Sequence, residues 1–381
     1  MNESHESPNA GNDWGAGREM GELEATMWRA GRHPANSTQG AVLEILAGTP
    51  EWSEVLRLHH AGLRQYPRFT QRVVEPVLPI GPPAWAHDPD FDLDNHLERI
   101  RLPAPGTVRQ LLDTAQRLAQ EALDPTRPPW KSTFIEGLEG GRSAYLVVVH
   151  HVLMDGHGSV QLLSDLHGRS LTSEQEERPD TIGSTDPVRL TVDQAGARLR
   201  AVPELTARTL SGVLGALRAG PTKAARFALS AGRMLTPPSG HGSELLQGGS
   251  RSNWRYEILD CSLAELKAAG KAAGGTVNDA YVAGIIGGLR IYHEKHGSPI
   301  GDITINMPVS LRRPDDPQGG NRFVTAFLAA PSAVADPAER ITRLRQAVSA
   351  LSGEPALDFF SVLLPVVNRA PAALSLIHIS E

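Results

Sequence analysis

Apolar and polar positions along this chain switch between a period near two and a period near 3.6, and each switch marks an element. Ala41 to Leu46 reads as a strand, Glu51 to Tyr66 as a helix ended by Pro67, and Arg72 to Leu78 as a second strand before a Pro-rich loop. Trp85 to His96 is a loop dense in carboxylates. Between Thr107 and Leu123, the positions Leu111, Leu112, Ala115, Leu118, Ala119 and Ala122 fall on one face of an amphipathic helix. A stiff Asp/Pro loop then leads into a strand from Trp130 to Ile135. Gly140-Gly141 precedes the short β-branched run Ala144 to Val149, the pattern of a strand buried on both faces.

Beyond that strand, Val160, Leu163 and His167 have the spacing of a short helix starting near Gly158, and Leu171 to Ser184 is polar and rich in turn residues. A long Ala/Leu/Arg segment follows. From Ala195 to Thr236 it carries seven cations against the single Glu204, a net of +6, which suits a solvated helical connector or a basic surface for anionic lipid. Thr276-Val-Asn-Asp279 is a capping-box pattern. The helix it opens is expected to turn Ala280, Tyr281, Gly284, Ile285, Gly288, Leu289 and Tyr292 inward and to stop at His296-Gly297. Gly284 and Gly288 mark a face that a second backbone can approach. Ile303 to Pro308 and Phe323 to Ala329 read as partner strands, and Asp336-Pro337 starts a helix with Ile341, Leu344, Val348 and Leu351 on its core side. The organisation expected is a disordered segment over 1–20, a first half over 21–185, a basic helical connector over 186–250 and a second half over 251–381.

Composition narrows the classes. With 381 residues, two domains can each bury a core. A net charge of −6 gives no global basic field, so nucleic acid is not an expected partner. The lone Cys261 excludes an internal disulfide framework and suits a reducing, cytoplasmic setting. Residues 1–20 lack the pattern of a signal peptide, and no stretch approaches the ~18–20 apolar residues of a membrane span. The chain is expected to be soluble or peripheral to a membrane.

The chemistry concentrates where the buried strand ends. His150 and His151 leave it together, on opposite faces by the pleat, and Asp155-Gly156 supplies a sharp turn. A histidine on a rigid strand end suits general-base work, because its ordinary pKa lies near neutrality. No further His or Cys sits at ligand spacing, so no metal is expected. Leu58-His59-His60 lacks the Asp-Gly and reads as surface. Asn278 lies in the first turn of a helix, where free amide hydrogens favour negative charge, and is a candidate for positioning substrate or stabilising an oxyanion. The alternative is that Thr276 and Asp279 cap the helix and Asn278 supports them.

The order of several blocks carries a family resemblance: Pro67-Arg-Phe69, Phe91 to His96, Leu102-Pro-Ala-Pro-Gly106, Asp124 to Trp130, His150-His-Val-Leu-Met-Asp-Gly156, Thr276 to Asp279, Pro308-Val-Ser-Leu-Arg312 and Gly320-Asn321. Together they resemble the bacterial wax ester synthase/acyl-CoA:diacylglycerol acyltransferase family over roughly residues 23 to 370. The HHxxxDG motif alone points to the wider group that includes chloramphenicol acetyltransferase and condensation domains. There are departures. Ser37-Thr-Gln-Gly40 stands where the family has a Met-His pair, Pro129 replaces a leucine, and the family's later Asn-Val-Pro-Gly-Pro block is not found. The second half is therefore expected to be incomplete, and Ser375 to Glu381 looks foreign to it.

The resemblance implies an α/β fold of two mixed-sheet, chloramphenicol-acetyltransferase-like halves, a pseudo-dimer with a central substrate tunnel. It implies transfer of a fatty acyl group from acyl-CoA to a fatty alcohol or diacylglycerol, with acyl-CoA as co-substrate and no cofactor. His151 would be the general base and His150 a packing or orienting residue. Asp155 would hold the loop, with Arg312 as its partner, and Gly156 would serve the turn and leave a path to the histidine. Trp130 and Ser310 would lie near the substrate. The basic connector would meet a membrane or lipid-droplet surface. The rival readings are a condensation-type enzyme with a carrier-bound acyl donor and a non-catalytic lipid-binding scaffold.

Overall fold

The computed structural model describes residues 18–31, 38–78, 80–154, 186–197, 243–247, 254–310 and 323–352, together with Arg200 and Ser230. The short helix expected near Gly158 and most of the basic segment lie outside them. The chain divides into two compact units, one holding residues 1–202, the other most of residues 203–363.

The first unit is organised by a four-stranded mixed sheet in the order β1 (Gln39–Leu46), β6 (Arg142–His150), β5 (Trp130–Leu138), β4 (Leu97–Arg101). The β1–β6 and β6–β5 pairs are antiparallel, and β5–β4 is parallel. Period-two alternation sends Val147 and Val149 into a core with Trp28, Val55, Trp130 and Phe134. Ala144, Leu146 and Val148 are buried as well. This double burial is why the run reads as uniformly apolar. Helix α3 (Val108–Gln120) packs against β1, β5 and β6 and buries Leu111, Leu112, Ala115 and Leu118 of the expected stripe, whereas Ala119 is half-buried and Ala122 is exposed beyond the helix end. Each such large apolar side chain contributes ~1.5–3 kcal/mol on burial. Thr107 caps the helix reciprocally with Gln110.

Several elements differ from the sequence expectation. Helix α1 (Glu22–Ala30) and the short strand β3 (Ala84–His87) were not foreseen, nor was β4, whose Glu98, Arg99 and Arg101 disguise a strand. Glu136, buried on β5, accepts from both Arg99 and Arg101, so the charges are used across the strand pair. The strand expected over 72–78 is shorter, β2 (Gln71–Val74), and Val77 and Leu78 beyond it are exposed. Glu19 bridges Ala84 and Met20 is buried, so the last residues of the stretch read as disordered belong to the fold. Helix α2 (Trp52–Gln65) forms as expected. A further helix, α4 (residues 187–197), seats Leu190 against Val74, Ala84 and Ala86, while Gln194 donates to Glu19 and the Pro82 carbonyl.

The second unit contains the single turn α5 (Glu244–Gln247), α6 (Leu263–Ala272), α7 (Val277–Lys295), the antiparallel pair β7 (Ile303–Ser310) and β8 (Phe323–Ala330), and α8 (Pro337–Ser352). Its core joins Ala280, Ala283 and Ile286 to Ile303, Leu328, Ile341 and Leu344. The inward stripe of α7 is thus rotated from the expected one. Tyr281, Ile285 and Tyr292 are exposed, and the buried positions are Asp279, Ala280, Ala283, Ile286, Gly287 and His293. Small residues win the packed face because the Arg340 guanidinium lies over it, donating to the Ala283 and Val334 carbonyls. A Cβ at Gly287 would come 2.4 Å from that guanidinium, whereas one at Gly284 or Gly288 meets no described atom within 4 Å.

Gly287→Ala should therefore destabilise the second unit by ~1–3 kcal/mol through overpacking. Gly288→Ala should be neutral or stabilise by up to ~1 kcal/mol through helix propensity. Denaturant unfolding of the two variants checks the contrast, and equal effects would contradict the packing described.

Candidate active site

Strand β6 is held on both edges, so its end is a rigid platform. Gln39 of β1 stands opposite His150, and Trp130 of β5 stands opposite Val149. His150 is the last residue of the strand, and its N–H donates to the Pro129 carbonyl at 2.9 Å. The next N–H, that of His151, donates to the Thr38 carbonyl at 2.8 Å, and Leu153 N–H turns back to the His150 carbonyl at 3.0 Å. Val152, Leu153 and Met154 are buried, which anchors the exit turn in the core.

The two histidines have different surroundings. His150 is only 8 % exposed. Its Nδ1 accepts from Val152 N–H at 3.3 Å, so the proton sits on Nε2 and donates to Thr38 Oγ1 at 2.7 Å. The Trp28 ring lies 5.0 Å away. Burial, with a smaller contribution from His151, pushes the His150 pKa down to about 4, so the ring is neutral near pH 7. A neutral ring with both nitrogens engaged suits packing and orientation. His151 is half-buried and is the first residue past the strand.

Trp130 lies beside this turn but is 5 % exposed, and its indole N–H donates to the Phe69 carbonyl at 2.7 Å. Its ring stacks on His96 at 4.8 Å, and His96 stacks in turn on Phe91 at 5.2 Å. His96 Nδ1–H donates to the Trp130 carbonyl at 2.8 Å. The carboxylate-rich loop thus contributes half-buried Phe91 and buried His96 to a stack that ends on Trp130. Trp130 supports the turn; its one polar donor is already occupied.

Asn278 is exposed in the first turn of α7, where Thr276 and Asp279 make the reciprocal cap. Ser310 ends β7 opposite Phe323. Asp155, Gly156 and Arg312 lie outside the described residues. The structure therefore brings His150, His151 and Trp130 together in the first unit, and Asn278 and Ser310 belong to the second.

Two features escaped sequence reasoning. One is Thr38, which bonds both histidines. The other is His59, expected at the surface but only 9 % exposed. Its Nδ1–H donates to the Val55 carbonyl, and its Nε2 accepts from Tyr145 Oη at 2.6 Å. The signal was present: Val55, His59 and Gly62 share one helical face. His60 is the exposed one of the pair.

Comparison with known proteins agrees with this architecture. The model of the wax ester synthase/diacylglycerol acyltransferase catalytic domain matches residues 20–281. A Mycobacterium tuberculosis H37Rv protein, provisionally named a diacylglycerol O-acyltransferase, is 34% identical over 389 residues, covering 98% of this chain and 76% of its own length. A second protein from that organism, named a probable diacylglycerol O-acyltransferase, is 33% identical over 77% of this chain and 64% of its own. Among solved structures, the wax ester synthase/diacylglycerol acyltransferase of Marinobacter aquaeolei VT8 superposes with a TM-score of 0.53 at 20% identity, over 94% of this chain and 78% of that one. The first condensation domain of the calcium-dependent antibiotic synthetase gives 0.55 at 16% identity, over 91% and 78%. Both share the fold.

The depressed His150 pKa has a consequence for stability. Between about pH 6.5 and pH 4 the unfolded chain binds a proton at this histidine that the folded chain refuses, so stability falls as pH falls through that window. His59 and His96, both lowered mainly by burial, act in the same direction. The His150 share should be ~1–3 kcal/mol. Urea unfolding at pH 7 and pH 4.5 should show a smaller pH slope for His150→Gln than for the unaltered chain.

Proposed function

The chain belongs to the wax ester synthase/diacylglycerol acyltransferase family, and we propose that His151 is the general base of its acyl transfer. It is an acyltransferase. The observation that carries it is the asymmetry of the histidine pair. One ring is buried, neutral and fully bonded, and its neighbour is half-buried just past the strand.

His151 takes the proton from the hydroxyl of a fatty alcohol or diacylglycerol as that oxygen attacks the thioester carbonyl carbon of acyl-CoA. A tetrahedral oxyanion forms and needs hydrogen-bond donors. Collapse breaks the carbon–sulfur bond and releases the CoA thiolate, a good leaving group with a pKa of roughly 8.5 that needs little acid assistance. The imidazolium returns the proton to sulfur, giving a wax ester or triacylglycerol and free CoA. No covalent acyl-enzyme is required, and no cofactor takes part.

The other candidates have supporting roles in this reading. Asp155 and Gly156 shape the turn after the histidines, with Arg312 as the partner of Asp155. Asn278, exposed in the first turn of α7, is assigned to positioning substrate or stabilising the oxyanion, and Ser310 to a place near the substrate. Among the described residues no helix is long and apolar enough to cross a membrane. The segment from Ala195 to Thr236, with its net of +6, is proposed to meet anionic lipid at a membrane or droplet surface. The family match and the relatives' names favour acyl transfer to a lipid acceptor over a carrier-bound donor or a non-catalytic scaffold.

The experiment is CoA release from palmitoyl-CoA with hexadecanol or diolein. Turnover should require an acceptor, and His151→Ala should lower it by ~10²–10⁴-fold with the fold intact. Undiminished release from the folded variant would remove His151 from the role of base.

A further inference from the structure

We infer that Thr38 is a positioning residue for the histidine pair, a clamp that sets the geometry of His151 through His150; the inference rests on the general-base reading of His151. Thr38 lies just before β1, and its two oxygens reach different histidines. The side-chain hydroxyl accepts from His150 Nε2–H at 2.7 Å, and the backbone carbonyl accepts from His151 N–H at 2.8 Å. Thr38 thus bonds the side chain of the first histidine and the backbone of the second. The partners are 112 residues apart in sequence, so the contact ties β1 to the exit of β6 at the point where the strand ends.

The last turn of α1 closes around this bond. Thr38 Oγ1 points its own proton toward the Met27 carbonyl at 3.5 Å, which already receives Gly31 N–H at 2.9 Å. The Trp28 ring packs 5.0 Å from the His150 ring. A Cβ at Gly31 would come 2.3 Å from Thr38 Oγ1 and 2.9 Å from His150 Nε2. Gly31 is therefore a size requirement of the clamp, although its backbone φ of −66° would suit any residue. The hydroxyl receives the proton that the Val152 N–H confines to His150 Nε2 and so holds the ring in place, and the carbonyl fixes where His151 begins. Replacing the hydroxyl by a methyl forces the 2.7 Å contact apart by about 1 Å, and displacements of that size cost up to ~10²-fold in rate when they reach a reacting group.

The test compares Thr38→Val, Thr38→Ser and Gly31→Ala with the unaltered chain in the CoA-release assay and by ¹⁵N NMR of the histidine rings. Thr38→Val should lower kcat by ~10–100-fold with KM within about twofold, and Thr38→Ser, which keeps the hydroxyl, should restore most of it. Gly31→Ala should mimic Thr38→Val while leaving residue 38 itself unaltered. In the spectra, His150 should be the Nε2–H tautomer, and the His151 ring signals should move in Thr38→Val and return in Thr38→Ser. Wild-type kcat in Thr38→Val, unmoved His151 signals, or an Nδ1–H tautomer at His150 would each overturn the clamp. Should His151→Ala keep full turnover, the general-base reading fails, and the ring signals still decide whether Thr38 sets the histidine geometry. If Thr38→Val does not fold, Gly31→Ala with Thr38→Ser carries the same comparison.

Discussion

The pairing of β6 on both its edges is the constraint from which the rest of the first unit follows. A central strand cannot shift register without moving every apolar side chain to the wrong face. Its buried run from Ala144 to Val149 makes any such shift costly on both sides of the sheet. The histidines at its end inherit that rigidity. The N–H groups of the turn find acceptors in Pro129 and Thr38, residues contributed by the approaches to the two flanking strands. The site is thus placed by main-chain geometry, with side chains refining it.

Two buried imidazoles away from the histidine turn share one solution to their polarity. In α2 and α7, His59 and His293 each donate Nδ1–H to the carbonyl four residues earlier, that of Val55 or Leu289. That leaves Nε2 as a fixed acceptor, filled by Tyr145 Oη in one case and Ser243 Oγ in the other. Neither ring faces solvent, and their hydroxyl partners tie a helix to a neighbouring segment. His150 uses the opposite tautomer, because its Nδ1 is taken by a backbone N–H. The difference sets apart the histidine that adjoins the proposed base from the two that fasten helices to their neighbours.

Much of this was legible in sequence wherever a single period dominates. The apolar stripe of α3, the buried run of β6 and the capping box of α7 each declare themselves locally, and the HHxxxDG motif located the histidine turn. What failed locally was decided by distant contacts. The charged strand β4 looks like a loop until Glu136 is seen to pair Arg99 and Arg101. The face of α7 was misread because hydrophobicity favoured Tyr281 and Ile285, while close packing under Arg340 demanded glycine and alanine. Thr38 sits in an unremarkable polar stretch, and its importance comes from a partner 112 residues away.

That long separation also governs the order of events as the chain is made. Strand β1 leaves the ribosome about 100 residues before the strand that covers its edge, since Leu46 waits for Ser143 and Gln39 for His150. At ~5–20 residues per second the interval is roughly 5–20 s. During it Val42 and Leu46, which later pack against the core, lie on an unpaired edge, the kind of surface that chaperones and aggregation compete for. The last residues of β6 to emerge cover one edge of β1, which stays the outer strand of the described sheet, and they form the histidine turn in the same step.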